Sequence, residues 1–378
     1  MKKQLNIPLL DLKREYTFLK KEINRQIKEC LSSQHWILGE KTTQFEEKLS
    51  AYLGSKYAIG LNSGTDALLI ALRAQAVKLK KKEFFDRRDE IITTPFTFVA
   101  TAESIVRSGA TPVFVDIDPQ TFNIDPEQIK KAVNKNTAGI IPVHLFGCGC
   151  RMDKISAIAK EKGLFIVEDV AQAFGAEDGA AKKLGTIGEC GAFSFFPSKN
   201  LGSYGDAGAV VTNDEKIADI ITLLRNHGQR NQYDAEYIGY NSRLDSIQAA
   251  ILLAKLKYID KFNAARRNLA EKYDKGLEGV EFIQTHFTLK NHVYNLYTIK
   301  VPKKMRDRLL TFLNNKGIQA RIYYPKPLHK MQAFKEAKQS GSLKNTEEAA
   351  LTVISLPIDP FLSSREISYI LEAVRRFR

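Results

Sequence analysis

Cysteine is scarce: Cys30, Cys148, Cys150 and Cys190 are all that 378 residues contain. That is too few for a disulfide framework in a chain of this length, so free thiols are expected. Cys148-Gly149-Cys150 has neither a second cysteine pair nor a nearby histidine pair, which falls short of the ligand count of a structural zinc site. No metal is expected. Long apolar runs are missing too: no window approaches about eighteen uninterrupted apolar residues. The start Met1-Lys2-Lys3-Gln4, leading into Leu9-Leu10-Asp11-Leu12-Lys13, is too short and too charged for a signal sequence. The expectation is a cytoplasmic protein without membrane insertion. Internal repeats, low-complexity tracts and helix-turn-helix, RNA-binding or zinc-finger patterns are also lacking.

What is present fits a packed globular protein, with 44% hydrophobic and 26% charged residues. The length exceeds the usual single core and predicts a large domain plus a smaller one. The formal net charge is +14, densest at Lys78, Lys80, Lys81, Lys82, Arg87 and Arg88, with Phe84 and Phe85 between them. Basic residues interleaved with aromatics are compositionally suited to nucleic acid, but no recognition motif accompanies them, and a solvated helix end and loop is expected. A basic field equally attracts a small molecule bearing a diphosphate.

Apolar spacing predicts amphipathic helices over 18–31 and 45–53. Tyr57-Ala58-Ile59-Gly60-Leu61 then reads as a strand, Asn62-Ser63-Gly64-Thr65-Asp66 as a turn, and 67–72 as a helix. Such a junction leaves backbone N–H groups free at the helix start, where Ser63 or Thr65 can cap and a phosphate can sit. A merely capped helix would look the same. Strands over 90–94, 112–117, 138–144 and 164–170 alternate with helices over 97–108, 126–133 and 152–162, which predicts a mostly parallel sheet covered on both faces. Ligands of such sheets bind beyond the carboxyl ends of the strands. One strand ends there in Glu168-Asp169; a helix cap or salt bridge is the plainer role for such an acid.

Lys199 lies between two β-type runs, 191–196 and 208–212, on a turn-rich segment with Gly202, Gly205 and Pro197. An exposed lysine stays protonated, with a pKa of about 10.4. To act as a nucleophile it must be desolvated or held as a Schiff base, and Phe193, Phe195 and Phe196 offer the apolar setting. Further on come a helix over 214–226, a polar loop with His227, Arg230, Tyr233 and Tyr237, and an unbroken helix over 247–277. The domain boundary is placed inside that helix, giving domains 1–255 and 256–378, with the N-terminal segment free to pack on the smaller one. Strands are expected over 294–301 and 320–323, before the loop Tyr323-Tyr324-Pro325-Lys326-Pro327-Leu328-His329.

A phosphate-ready turn at Ser63–Asp66, an acid ending a strand at Asp169 and a loop lysine at Lys199 converge on pyridoxal phosphate. Its phosphate needs helix-terminal N–H donors, its ring nitrogen a carboxylate, and its aldehyde a lysine.

Together with Ser63-Gly64-Thr65-Asp66-Ala67-Leu68, the stretches Thr97-Phe98-Val99-Ala100-Thr101-Ala102, Glu168-Asp169 with Ala171-Gln172-Ala173, 193–208, and Asn241-Ser242-Arg243-Leu244-Asp245 with Gln248-Ala249-Ala250 resemble the DegT family of nucleotide-sugar aminotransferases, almost end to end. The resemblance implies an α/β fold of the aspartate-aminotransferase type, with a seven-stranded, mostly parallel sheet, a smaller C-terminal α/β domain, and a homodimer with shared active sites. By position it implies that Lys199 binds the cofactor aldehyde and later shuttles the proton, that Asp169 bonds the ring nitrogen, and that Gln172 meets the phenolic oxygen. It puts Phe98 and Ala171 on the two ring faces, and Gly64, Thr65, Ser194 and a partner subunit's Asn241 on the phosphate. His227, Arg230, Tyr324 and His329 are candidates for the sugar nucleotide. The implied reaction takes an amine from glutamate and places it on a keto-sugar nucleotide, for surface-polysaccharide or natural-product sugars. Lys199-Asn200-Leu201-Gly202 followed by Tyr204-Gly205-Asp206 is similar to members acting at C3; amination at C4 is the alternative. Ala207, Asn295 and Asp359 depart from the family pattern, the last two where histidine is common, and 79–88 is lengthened. A sugar dehydratase of the same family would carry histidine in place of Lys199, and a non-catalytic regulator would keep the fold without turnover.

Overall fold

The computed structural model describes residues 5–285 and 292–377; the Met1-Lys2-Lys3-Gln4 start lies outside them. Seven strands form the main sheet: β1 (Tyr57–Leu61), β2 (Glu90–Thr93), β3 (Thr111–Phe114), β4 (Thr137–Ile140), β5 (Phe165–Asp169), β6 (Cys190–Ser194) and β7 (Gly208–Thr212). Their order is β1-β7-β6-β5-β4-β2-β3, and the two-residue strand Lys338–Gln339 adds an eighth member beside β3. β7 runs antiparallel to β1 and β6. The remaining pairs are parallel. The expected seven-stranded, mostly parallel sheet is therefore present, extended at one edge by a short piece of the C-terminal region.

β5 and β7 are buried along their whole length, as strands covered on both faces must be. Alternation divides their side chains between two cores. Phe165, Val167, Ala192 and Val210 pack with Leu68, Ile70 and Leu72 of the helix Gly64–Gln75. Ile166, Phe193 and Val211 pack with Phe45 and Leu49 of the helix Glu40–Leu53 and with Leu252 of the helix Ser246–Leu256. The same alternation sends Glu168 and Asp169 to opposite faces.

The unbroken helix expected over 247–277 is two helices, Ser246–Leu256 and Ile259–Leu277. Tyr258 takes φ −111° and ψ 0° at the break, and its ring lies against Phe18 and Phe262. A third core, with Tyr273, Tyr297, Leu309 and Ile370, fills the C-terminal region. A three-stranded sheet, Gln284–Thr285, Tyr297–Lys300 and Val353–Leu356, lies within that region. Ile7 joins this core and pairs with Ile318. Residues 320–323 form no strand; Arg321 makes only an isolated bridge with Ser355. In the basic segment Lys78, Lys80 and Lys82 pair with Asp214, Asp89 and Asp86. Among the described residues no helix is long and apolar enough to cross a membrane.

Candidate active site

The two acids ending β5 have opposite fates. Glu168 is fully buried, and its carboxylate accepts from the N–H groups of Gly185, Ile187 and Gly188, each at 2.8 Å. His144 Nε2 stands 3.0 Å from it. Because Cys150 N–H donates to His144 Nδ1 at 3.0 Å, the proton of the neutral ring sits on Nε2 and is donated to Glu168. Glu168 is thus saturated by donors, in the plainer role that the sequence left open for both acids. Asp169 is also buried, and among the described residues its carboxylate accepts only from Thr101 Oγ1 at 2.8 Å and Ala171 N–H at 3.2 Å. Burial raises its pKa, against the opposing pull of Thr101, Ala171, Lys199 and His144.

Lys199 follows β6 on a loop folded back on itself. Its N–H donates to Phe196 O at 2.9 Å, and Ser203 returns N–H and hydroxyl to Phe195 O, both at 2.7 Å. Asn200 locks the next position: its Nδ2 donates to Asn263 Oδ1 at 2.7 Å and to Val293 O at 2.9 Å, while its Oδ1 accepts from Asn295 Nδ2 at 2.9 Å. The Lys199 amine itself has no hydrogen bond or salt bridge among the described residues. The side chain is half-buried. Desolvation lowers its pKa, and Asp169 pulls the other way.

At the helix Gly64–Gln75, Ser63 Oγ accepts from Asp66 N–H at 3.1 Å and Ser63 O from Ala67 N–H at 3.0 Å. Among the described residues the first-turn N–H groups of Gly64 and Thr65 have no acceptor. A side chain on Gly64 would come within 2.5 Å of Ser194 Cβ, and one on Gly208 within 2.3 Å of Ser63 O. Glycine at these points presses Ser194, at the end of β6, against the helix start. This helix covers the face of the sheet to which Asp169 points.

Gln172 Oε1 accepts from Phe146 N–H at 2.8 Å, and its Nε2 donates to Tyr324 Oη at 2.9 Å. Gln172, Lys199, Tyr324, Arg266 and Asn295 line one cleft. Phe98, 56% exposed, stands with its ring centroid 6.3 Å from that of Tyr324. Ala171 is half-buried after Asp169. His227, Arg230, His329 and Asn241 are not among the residues that line this cleft. Arg230 is exposed and tied to Asp219 and Glu236. His227 is exposed with φ 59°, and His329 faces Glu347 at 3.2 Å. Asn241 is exposed and bridges to Asn226, while its neighbour Ser242 donates to Asn62 Oδ1 at 3.1 Å.

Thr101, Asn263 and Arg266 were not among the sequence candidates. Thr101 has a local signal, one helical turn after Thr97 within the stretch Thr97–Ala102; Asn263 and Arg266 have none. Asn295, noted only as a departure, holds the Lys199 loop through Asn200. Asp359, the other, accepts from Asp11 N–H at 2.8 Å and Phe361 N–H at 2.7 Å.

The DegT/DnrJ/EryC1/StrS aminotransferase family matches residues 18–375. The chain belongs to this family. It is 43% identical over 378 residues, 99% of each chain, to the pleiotropic regulatory protein of Geobacillus stearothermophilus. It is 39% identical over 370 residues to the UDP-2-acetamido-2-deoxy-3-oxo-D-glucuronate aminotransferase of Pseudomonas aeruginosa, covering 97% of this chain and 99% of that one. The crystal structure of S. venezuelae DesV in complex with a ketimine intermediate matches with TM-score 0.92 and 38% identity over 98% of each chain. The family is dependent on pyridoxal phosphate, and the residues present here fit that group. A buried, under-bonded carboxylate suits a ring N–H, an unpartnered amine suits an aldehyde, and the tight Gly64–Ser194 junction offers donors to a phosphate.

Proposed function

We propose that the protein is a pyridoxal-phosphate-dependent aminotransferase that moves an amino group from glutamate to the C3 keto group of a nucleotide-diphosphate sugar. The observation that carries this reading is the Lys199 amine, which has no partner among the described residues, lines one cleft with Gln172 and Tyr324, and lies in the field of the buried Asp169 carboxylate. When bound, pyridoxal phosphate supplies an aldehyde that condenses with amines and a ring that draws electrons from the substrate carbon. Lys199 Nζ holds the cofactor and moves the proton at the reacting carbon. Asp169 keeps the ring nitrogen protonated, fixed in turn by Thr101. Gln172 faces the phenolic oxygen, Phe98 and Ala171 flank the ring, and Gly64, Thr65 and Ser194 hold the phosphate with Asn241 of the partner subunit. The preference for C3 draws support from the Pseudomonas relative, named for a 3-oxo sugar. A cytoplasmic homodimer goes with this reading. So does a division into domains 1–255 and 256–378, which agrees with the helix break after Leu256.

A second reading, a regulator on the same fold, is favoured by the name of the Geobacillus relative. The deciding experiment assays purified holoenzyme with glutamate against UDP-, dTDP- and GDP-linked 3-keto and 4-keto sugars, while recording its visible absorbance. Amine at C3 of one of them is expected. Lys199→Ala should lose the cofactor band and at least about 10³-fold in turnover. Wild-type turnover in that variant would overturn the central claim. A coloured wild type inert on every sugar would favour the regulator.

A further inference from the structure

Arg266, on the helix Ile259–Leu277, is a buried cation with too few acceptors. It is 4% exposed. Its Nη1 donates to the carbonyls of Tyr294, at 3.3 Å, and Ile358. Its Nε is buried without an acceptor among the described residues. Asp359 and Glu15 act on it only through their fields, and among the described residues no carboxylate reaches salt-bridge distance. A guanidinium presents five N–H donors in a planar fork that fits a carboxylate. Leaving those donors unmet in a buried place is costly. The same side chain lines the cleft that holds Lys199.

We propose that Arg266 is the receptor for the α-carboxylate of the amino donor, and so selects α-amino acids as the nitrogen source. This rests on the reading of Lys199 as the group at the reaction centre. A donor whose amine reaches that centre carries its α-carboxylate on the same carbon, so the matching cation has to line the same small cleft, of about 80 Å³. Next to the reacting carbon of a keto sugar lie ring carbons without charge. Arg266 therefore acts on one half of the reaction and not on the other.

The test compares wild type, Arg266→Lys and Arg266→Gln as holoenzymes in single-turnover half-reactions: glutamate with the pyridoxal form, and the amino-sugar nucleotide product with the same form. The variants should weaken the apparent glutamate affinity roughly 10- to 100-fold and change the sugar half-reaction less than about threefold. Calorimetry with 2-hydroxyglutarate, which keeps the carboxylates and lacks the amine, should show the same loss without any turnover. Wild type alone gives an answer that no folding defect can blur: the α-amide of glutamate should be a donor at least about tenfold poorer than glutamate. Equal slowing of both halves, unchanged 2-hydroxyglutarate binding, or an α-amide as good as glutamate would each overturn the proposal and leave Arg266 as a tie between two carbonyls. A wild type that takes nitrogen from no amino acid while retaining a Lys199-dependent band would instead sink the aminotransferase reading beneath it.

Discussion

At the end of β5 two regions one residue apart use the same chemical group for opposite ends. On one face Glu168, His144 and the 185–188 turn form a closed knot in which the carboxylate has a donor for nearly every lone pair. On the other, the Asp169 carboxylate has two donors and acts through its field on Lys199, whose amine has no partner among the described residues. A saturated buried acid has its energy committed to the native state; an under-bonded one is available to something not in the chain. Burial alone does not separate them, since both are nearly inaccessible. The count of donors does.

The comparison breaks first at Asp169. Asp169→Asn keeps the size and the Thr101 contact but removes the charge that holds a ring nitrogen protonated. Cofactor should still bind through Lys199 and its phosphate, while amination slows about 10²- to 10³-fold. Thermal unfolding should change little. An unaltered rate with lowered stability would make Asp169 a structural acid like its neighbour.

Glu168→Gln should give the mirror image. Its amide NH₂ would confront backbone N–H groups that need acceptors, leaving at least one buried donor unmet at a cost of about 2–3 kcal/mol of folding stability. Denaturant titration of the holoenzyme should show that loss, with the visible band and the turnover per folded molecule kept within about threefold. A variant as stable as wild type but inactive would mean that the two faces are not divided as the bonding pattern implies.

Much of this was legible in the sequence because it is local. The Ser63–Asp66 turn, the Asp169 strand end and the Lys199 loop are each announced by a change of pattern within a few residues, and the parallel sheet by the alternation of such units. What escaped depends on contacts between distant parts. Asn200 meets Asn263 and Asn295 across 63 and 95 positions, and nothing in the spacing around Asn263 marks it. The break at Tyr258 is set by rings that include Phe18, far away in the chain. Nor does the sequence around Arg230, a candidate for the sugar nucleotide, announce that Asp219 and Glu236 pair with it. Alternation would have assigned Glu168 and Asp169 to opposite faces, but only the partners tell which face holds the cleft.

Asn241 sharpens the comparison from outside the cleft. It is exposed, and the hydroxyl of its neighbour Ser242 donates to Asn62 Oδ1, just before the Ser63 turn of the same chain. That tether is compatible with service to its own phosphate site, whereas the family resemblance assigns Asn241 to the site of the partner subunit. A hydrogen bond from a neutral amide to a doubly charged phosphate contributes about 1.5–3 kcal/mol, so Asn241→Ala should loosen the cofactor roughly 10- to 100-fold. Affinity alone cannot place the residue, because both arrangements lose the same bond. A hybrid dimer can. Join one subunit carrying Lys199→Ala to one carrying Asn241→Ala, co-expressed with different tags and purified through both. With shared sites both defects fall in one site and the other is intact, so activity should return at low cofactor concentration, where either parent dimer is poor. With unshared sites the hybrid holds one dead and one weakened site. A surviving site that binds cofactor as weakly as the Asn241→Ala homodimer would refute sharing, and each chain would then assemble its catalytic centre without help.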